Sequence, residues 1–138
     1  MAQLDKSSYV NATLGNSKYY DEAGNPLVVL TKAIQYTATV GDQATPVISA
    51  VVGKKIRVFS MAIATSINGP IVYLRNGAGG TQLSETIYRA ITGSTMPVNY
   101  QRTAYYPIWL FETTAGTALV CNCSAVGTCS VQIVYALV

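Results

Sequence analysis

Three cysteines near the carboxyl end are the residues of this chain best suited to chemistry. Cys121, Cys123 and Cys129 lie close together in the sequence, and thiolates at such spacing bind soft metal ions or form disulfides. A closed zinc site needs a fourth nitrogen or sulfur ligand, yet the chain has no histidine and no other cysteine. The sequence therefore predicts reduced cysteines that are buried like small apolar side chains, and it predicts no metal and no other cofactor.

The carboxylates offer little for acid–base catalysis. The chain contains six, and Asp5, Asp21 and Glu22 fall in a polar stretch before residue 27. Without histidine, the Ser-His-Asp and Cys-His arrangements of hydrolases are excluded. We therefore do not expect an enzyme.

Aromatic residues form a candidate sugar-binding group. Flat aromatic faces stack on pyranose rings, and the densest group consists of Tyr100, Tyr105, Tyr106 and Trp109. Aromatic residues also suit β-strands, and tyrosine suits subunit interfaces. Packing or subunit contact is therefore the favoured explanation of this group, with glycan contact as the alternative.

The charge balance limits the partners of the chain. Charged residues make up 11% of the sequence and the net charge is +3. The one basic cluster is Lys54, Lys55 and Arg57, which fits either a solvated strand end or contact with an acidic protein surface. It is too sparse for a nucleic-acid site. No apolar run is long enough for a membrane helix and the first residues lack a secretory pattern, so we expect a soluble protein made in a cytoplasm.

The chain divides into an extended N-terminal arm, residues 1–26, and a β-sandwich domain, residues 27–138. The arm is polar and rich in turn residues, so it cannot form a core of its own. Its isolated apolar and aromatic residues are the expected contacts with a partner: Leu4, Tyr9, Leu14, Tyr19 and Tyr20.

From Leu27 onward, apolar and polar residues alternate, which indicates about nine short strands separated by turns and no convincing helix. The predicted fold is all-β, an antiparallel β-sandwich of jelly-roll type. Strands are predicted at 45–52 and, as the longest, at 54–67. The latter is apolar on both faces, and its small-residue side predicts a subunit interface at Val58, Ala62 and Ala64, opposite Phe59, Met61 and Ile63.

The last two strands are predicted to form a hairpin. A three-residue loop, Ala125–Gly127, would place the apolar faces of both strands on one side of the sheet. That register pairs Cys123 with Cys129, Cys121 with Val131 and Leu119 with Ile133. It would bring Cys123 and Cys129 close enough for a disulfide, which is the alternative to two reduced thiols.

Three segments of the sequence resemble segments of the small all-β structural proteins of tailed bacteriophages, especially capsid decoration (cement) proteins. They are Gly-Lys-Lys-Ile-Arg-Val at 53–58, Phe-Glu-Thr-Thr-Ala-Gly-Thr-Ala-Leu at 111–119 and Val-Gln-Ile-Val-Tyr at 131–135. The resemblance spans roughly residues 50–138, and an arm at 1–26 is compatible with it.

The resemblance implies a virion protein made in the bacterial cytoplasm. Such a subunit, usually one of a homotrimer, binds the outer surface of the phage head and ties neighbouring major capsid proteins together. The alternative is a phage tail or fibre module that binds host-surface glycan through the aromatic group. A third option, a lectin-like accessory domain of an enzyme, fits the fold but not the missing secretory signal.

Overall fold

The computed structural model describes residues 21–65, 71–88, 98–103 and 109–138. Every strand pair in these residues is antiparallel and no helix occurs among them, so the prediction of an all-β fold is confirmed there. The strands are β1 (Leu30–Ala38), β2 (Gly41–Asp42), β3 (Ile56–Thr65), β4 (Ile71–Asn76), β5 (Ile87–Tyr88), β6 (Val98–Thr103), β7 (Phe111–Glu112), β8 (Leu119–Cys123) and β9 (Gly127–Leu137).

The strands form two sheets that enclose one main core. The first sheet has the order β1-β9-β3-β6, with β7 beside the start of β3, and the second has the order β2-β8-β4-β5. Alternate residues of the long strands point into the core, as the period-two pattern predicts. Fully buried members from both sheets include Ile56, Met61, Ile63, Val131 and Ile133 in the first and Val72, Leu74, Leu119 and Cys121 in the second.

A β-bulge at Phe59 changes which residues of β3 face the core. Val58 pairs with Tyr135 and Ser60 with Val134, so Phe59 is the additional residue on its strand. Because the bulge shifts the alternation by one, Val58 faces the same core as Met61. Phe59 lies instead in a separate cluster with Leu27 and Ala136. The predicted grouping of Val58 with Ala62 and Ala64 on one face is therefore wrong.

The predicted hairpin of the last two strands is also wrong. β8 pairs with β2 and β4, whereas β9 pairs with β1 and β3, so the loop between β8 and β9 crosses from one sheet to the other. The predicted inward faces are right, because Cys121, Cys123 and Cys129 are all buried. Their side chains meet across the core instead of side by side on one sheet.

The predicted strand at 45–52 forms only one isolated bridge, between Ile48 and Leu119. Pro46 has no amide hydrogen to donate, which limits pairing at the start of this segment. Val47 and Ile48 are nevertheless buried, and their amides donate to the Leu119 carbonyl at 2.8 and 3.3 Å. The segment therefore closes the core beside β8 without forming a regular strand.

Residues 21–26, the last part of the predicted arm, and Leu27, the first residue of the predicted domain, contact the rest of the sandwich. The Leu27 side chain is buried against Phe59 and Ala136, and Glu22 is paired with Arg57. Ahead of them, Asp21 closes a turn in which its amide donates to the Asn25 carbonyl at 2.9 Å. The described chain is thus attached to the first sheet from its first residues.

Candidate interaction surfaces

The outer face of the first sheet carries rows of uncharged side chains. Three strands contribute to each row, because β1 and β3 flank β9 and paired residues point to the same side. The rows are Thr31–Val134–Ser60, Ala33–Gln132–Ala62 and Gln35–Ser130–Ala64. The described part of this face therefore presents small polar and apolar groups with no charged side chain in these three rows.

One end of the same face is closed by a charged cluster. Arg57, whose side chain is 3% exposed, donates from Nε to Oε2 of Glu112 at 3.0 Å and from Nη2 to Oε1 of Glu22 at 2.5 Å. The guanidinium carbon lies 3.9 Å from the centroid of the Trp109 ring. Burial alone would lower the pKa of Arg57, but the two carboxylates outweigh it and raise that pKa. These contacts hold residues 21–22 and 109–112 against the first sheet.

This cluster changes what the basic and aromatic residues can bind. Lys55 donates to Glu112 at 3.1 Å, so Lys55 and Arg57 share one carboxylate. Arg57 is paired with carboxylates of its own chain and is too deeply buried to contact an acidic partner protein. The Trp109 ring is stacked on Arg57 and remains 38% exposed.

A second polar cluster ties the loop after β4 to the second sheet. Asp42 accepts from Nη1 of Arg75 at 3.0 Å, from the Gly79 amide at 2.7 Å and from Nδ2 of Asn122 at 2.7 Å. Arg75 also donates from Nε to the Gly80 carbonyl at 2.9 Å. The glycine-rich segment at 76–80 is therefore a structured turn.

Asp42→Asn is expected to lower the free energy of unfolding at pH 7 by about 1–2 kcal/mol. Burial favours a higher pKa for Asp42, but the hydrogen bonds from Asn122, Gly79 and Arg75 outweigh it and hold the pKa below its usual value. A carboxyl group with a lowered folded-state pKa stabilises the fold above its unfolded pKa of about 4, and this contribution is lost as the pH falls through the folded pKa.

Denaturant unfolding at a series of pH values measures this effect. The difference between the wild type and Asp42→Asn should be greatest at pH 7 and shrink below about pH 4. Equal stability of the two proteins at pH 7 would contradict the role assigned to Asp42.

The three cysteines form a compact cluster inside the core. Their sulfur atoms all lie within 4.8 Å of one another, and the Sγ atoms of Cys121 and Cys123 are 3.9 Å apart. All three are free thiols with no exposed surface. Hydrogen bonds with Cys123 and Cys129, together with burial, raise the pKa of Cys121 above its usual value. A thiol with no exposed surface cannot be reached by a substrate, so packing is the role that this geometry supports.

The other residues predicted as sites are distributed as follows. Ala62 and Ala64 lie half-buried on the outer face of the first sheet, whereas Val58 has no exposed surface and cannot contact a subunit there. Tyr100 lies on β6, where its backbone pairs with Ile63. The remaining predicted contacts fall outside the described residues: Leu4, Tyr9, Leu14, Tyr19, Tyr20, Tyr105 and Tyr106.

Sequence reasoning missed the acidic partners of the two arginines. Glu22, Glu112 and Asp42 come from segments far from Arg57 and Arg75 in the chain, and only the folded structure brings them together. A weak signal was available for Glu112, since it follows an apolar run on a strand and a carboxylate there needs a cation beside it.

The described residues include no helix of the length and apolar character needed to cross a membrane. Comparison with known proteins found no family model and no curated protein that matches this chain.

Proposed function

We propose that the sandwich has jelly-roll topology. The strand pairs are nested, which supports this proposal: β4 pairs with β5, β3 with β6, β2 with β8 and β1 with β9. A long hairpin wrapped around a core produces this nesting and divides consecutive strands between two sheets. β7 is then a short addition beside β3.

We propose further that the chain is a structural virion protein that decorates the outer surface of a phage capsid. The outer face of the first sheet is the observation that carries this proposal. An uncharged face of small side chains suits contact with a second copy of the chain, because little charge must be removed from water when it is covered. A homotrimer built through Ala62 and Ala64 would present several arms to the major capsid protein at once.

Attachment to the capsid is assigned to the N-terminal arm. The described chain begins at Asp21 on the first sheet, so the arm joins the domain beside the proposed subunit interface. Tyr19 and Tyr20 directly precede this point, and buried tyrosines contribute large contact areas with a polar end that can donate a hydrogen bond. Several arms on one oligomer would strengthen binding through their linkage.

Co-sedimentation with empty capsids from the same phage tests this assignment. Replacing Tyr19 and Tyr20 together with alanine should weaken binding by about tenfold or more, which corresponds to about 1.4 kcal/mol. Val126→Ala is the control, because Val126 is 71% exposed in the loop between β8 and β9. Equal binding of the double variant and the wild type would contradict the assignment, as would failure of the wild type to bind.

Glycan binding by a tail or fibre module is the competing function. In the aromatic group predicted to contact glycan, Trp109 is the residue whose side chain the structure describes. One face of its ring lies against Arg57. A glycan array run with the same protein separates the two functions, since a specific glycan signal without capsid binding would favour the fibre module.

A further inference from the structure

The three cysteines bring sulfur atoms from both sheets to one point of the core. Cys121 and Cys123 are two residues apart on β8 and point to the same side of the second sheet, and Cys129 reaches them from β9 of the first sheet. Their Sγ atoms all lie within 4.8 Å of one another, and those of Cys121 and Cys123 are 3.9 Å apart. Regular strands of the fold therefore hold the three sulfurs together.

The spacing of the sulfurs is close to that of three sulfurs bound to one atom. A bond from sulfur to a soft ion is about 2.3 Å long, so three sulfurs bound to the same ion lie about 3.5–4 Å apart. The distance between Cys121 and Cys123 is already in this range. The Cys129 sulfur needs to approach the other two by at most about 1 Å. Three sulfur ligands thus fit without a rearrangement of the strands.

The number of ligands limits which ion can bind. In the part of the chain that the structure describes, no histidine, carboxylate or further cysteine joins this group. The group has no exposed surface, so bulk water does not supply a fourth ligand in the closed fold. The described residues therefore do not complete the four-ligand site that zinc needs.

Charge selects among the ions that accept three sulfurs. Three thiolates carry three negative charges, and a buried charge without a partner is costly. Among the described residues, Arg57 is the one buried charged side chain, and its partners are Glu22 and Glu112. A trivalent ion cancels the charge of the three thiolates, whereas a monovalent or divalent ion leaves the core charged.

We propose that Cys121, Cys123 and Cys129 form a three-thiolate site for a soft trivalent ion such as arsenic, supplied as arsenite, As(OH)3. Three S–H and three As–O bonds break, three As–S bonds form, and the thiol protons leave with the hydroxide groups as three molecules of water. Arsenic stays trivalent, so the step needs neither an oxidant nor a reductant. The product is neutral and joins β8 to β9 across the core. The site is independent of capsid binding.

The loop between β8 and β9 is the entrance to this site. Cys123 precedes and Cys129 follows the segment 124–128, in which Ser124, Val126 and Thr128 are exposed. Exposed loops open locally at a lower free-energy cost than the strands of a core. Arsenite, which is small and uncharged, therefore enters during local opening of this loop, while the closed fold shields the sulfurs.

Titration of the full-length protein with arsenite tests the site, in a phosphine reductant that carries no thiol. Native mass spectrometry should show that each chain gains one arsenic atom and loses three hydrogen atoms. Because the bound ion joins the two sheets in the folded state, a saturating concentration should raise the melting temperature by at least about 5 °C. X-ray absorption should show three sulfur neighbours around arsenic and no oxygen neighbour.

Substitutions in the core separate binding from packing. Cys121→Ala and Cys129→Ala each leave two thiols and should lose the rise in melting temperature. Ile63→Val is the matched control, because Ile63 is 1% exposed in the same core and its substitution keeps all three sulfurs. The melting temperature of this control should be lower without arsenite, yet it should rise with arsenite as much as that of the wild type. If a cysteine variant does not fold, the mass and the sulfur count of the wild type decide the question.

Four results would overturn the proposal. Absence of bound arsenic in the folded wild type would show that the sulfurs do not close around one ion. An equal rise in the variants that lack one cysteine would show that the three sulfurs do not act together. A lower melting temperature of the wild type with arsenite would show that the unfolded chain binds it better. An equal rise with Zn²⁺ would show that ligand number and charge do not select the ion.

Discussion

Replacing Phe59 with alanine is expected to lower the free energy of unfolding by about 3–5 kcal/mol, the largest effect of any single substitution considered for this protein. Phe59 is 2% exposed and packs with Leu27 and Ala136 on the outer side of the first sheet. Removing the ring opens a cavity beneath residues 21–27 and loosens the start of β1. Denaturant unfolding monitored by circular dichroism measures the loss.

Two further variants test the position of the Phe59 ring. Phe59→Leu keeps much of the side-chain volume and should cost less than about 1.5 kcal/mol. Because Phe59 and Leu27 are in contact, the costs of Phe59→Ala and Leu27→Ala should not add in the double variant. Strictly additive costs would show that the ring does not pack against Leu27, and the bulge would then be wrongly placed.

Ala62→Arg is expected to convert the proposed homotrimer into monomers at micromolar concentration. Ala62 lies in the middle row of the outer face, between Gln132 on β9 and the paired position on β6. An arginine there would bury a charge without a partner at the proposed interface and weaken association by at least about a hundredfold. Light scattering should give a mass three times the 14.7 kDa of one chain for the wild type and the mass of one chain for the variant.

Val126→Arg provides the matched control for this substitution. The same charge is added at an exposed site in the loop between β8 and β9, so the proposed homotrimer should persist. A wild type that is already monomeric, or an Ala62→Arg variant that keeps the wild-type mass, would contradict a subunit interface on this face.

The alternation of apolar and polar residues was sufficient to predict which faces of β8 and β9 are buried. Cys121 and Cys123 on β8 and Cys129 on β9 face inward as expected. Their pairing partners could not be predicted, because the same faces are buried whether two strands lie side by side or on opposite sheets. Loop length did not decide between a hairpin and a crossover here, since residues 124–126 are enough to change sheets.

The β-bulge at Phe59 and the ion pairs of Arg57 could not be predicted from the alternation of apolar and polar residues. A single additional residue at Phe59 reversed the alternation within β3 and moved Val58 from the predicted subunit face into the core. The ion pairs of Arg57 join residues 35 and 55 positions apart in the chain, and spacing along a sequence carries no information on such contacts. Fold class was therefore accessible from the sequence, whereas register and charge pairing were not.

Under the proposed function the chain is encoded by a phage, and electron microscopy of the virions of that phage tests the proposal most directly. Cryo-reconstruction of purified heads should show the sandwich domain as density on the outer surface of the capsid, grouped in threes and joined to the major capsid protein by extended arms. Density for the domain at the tail or on fibres, or purified particles that lack the protein, would contradict a capsid decoration protein.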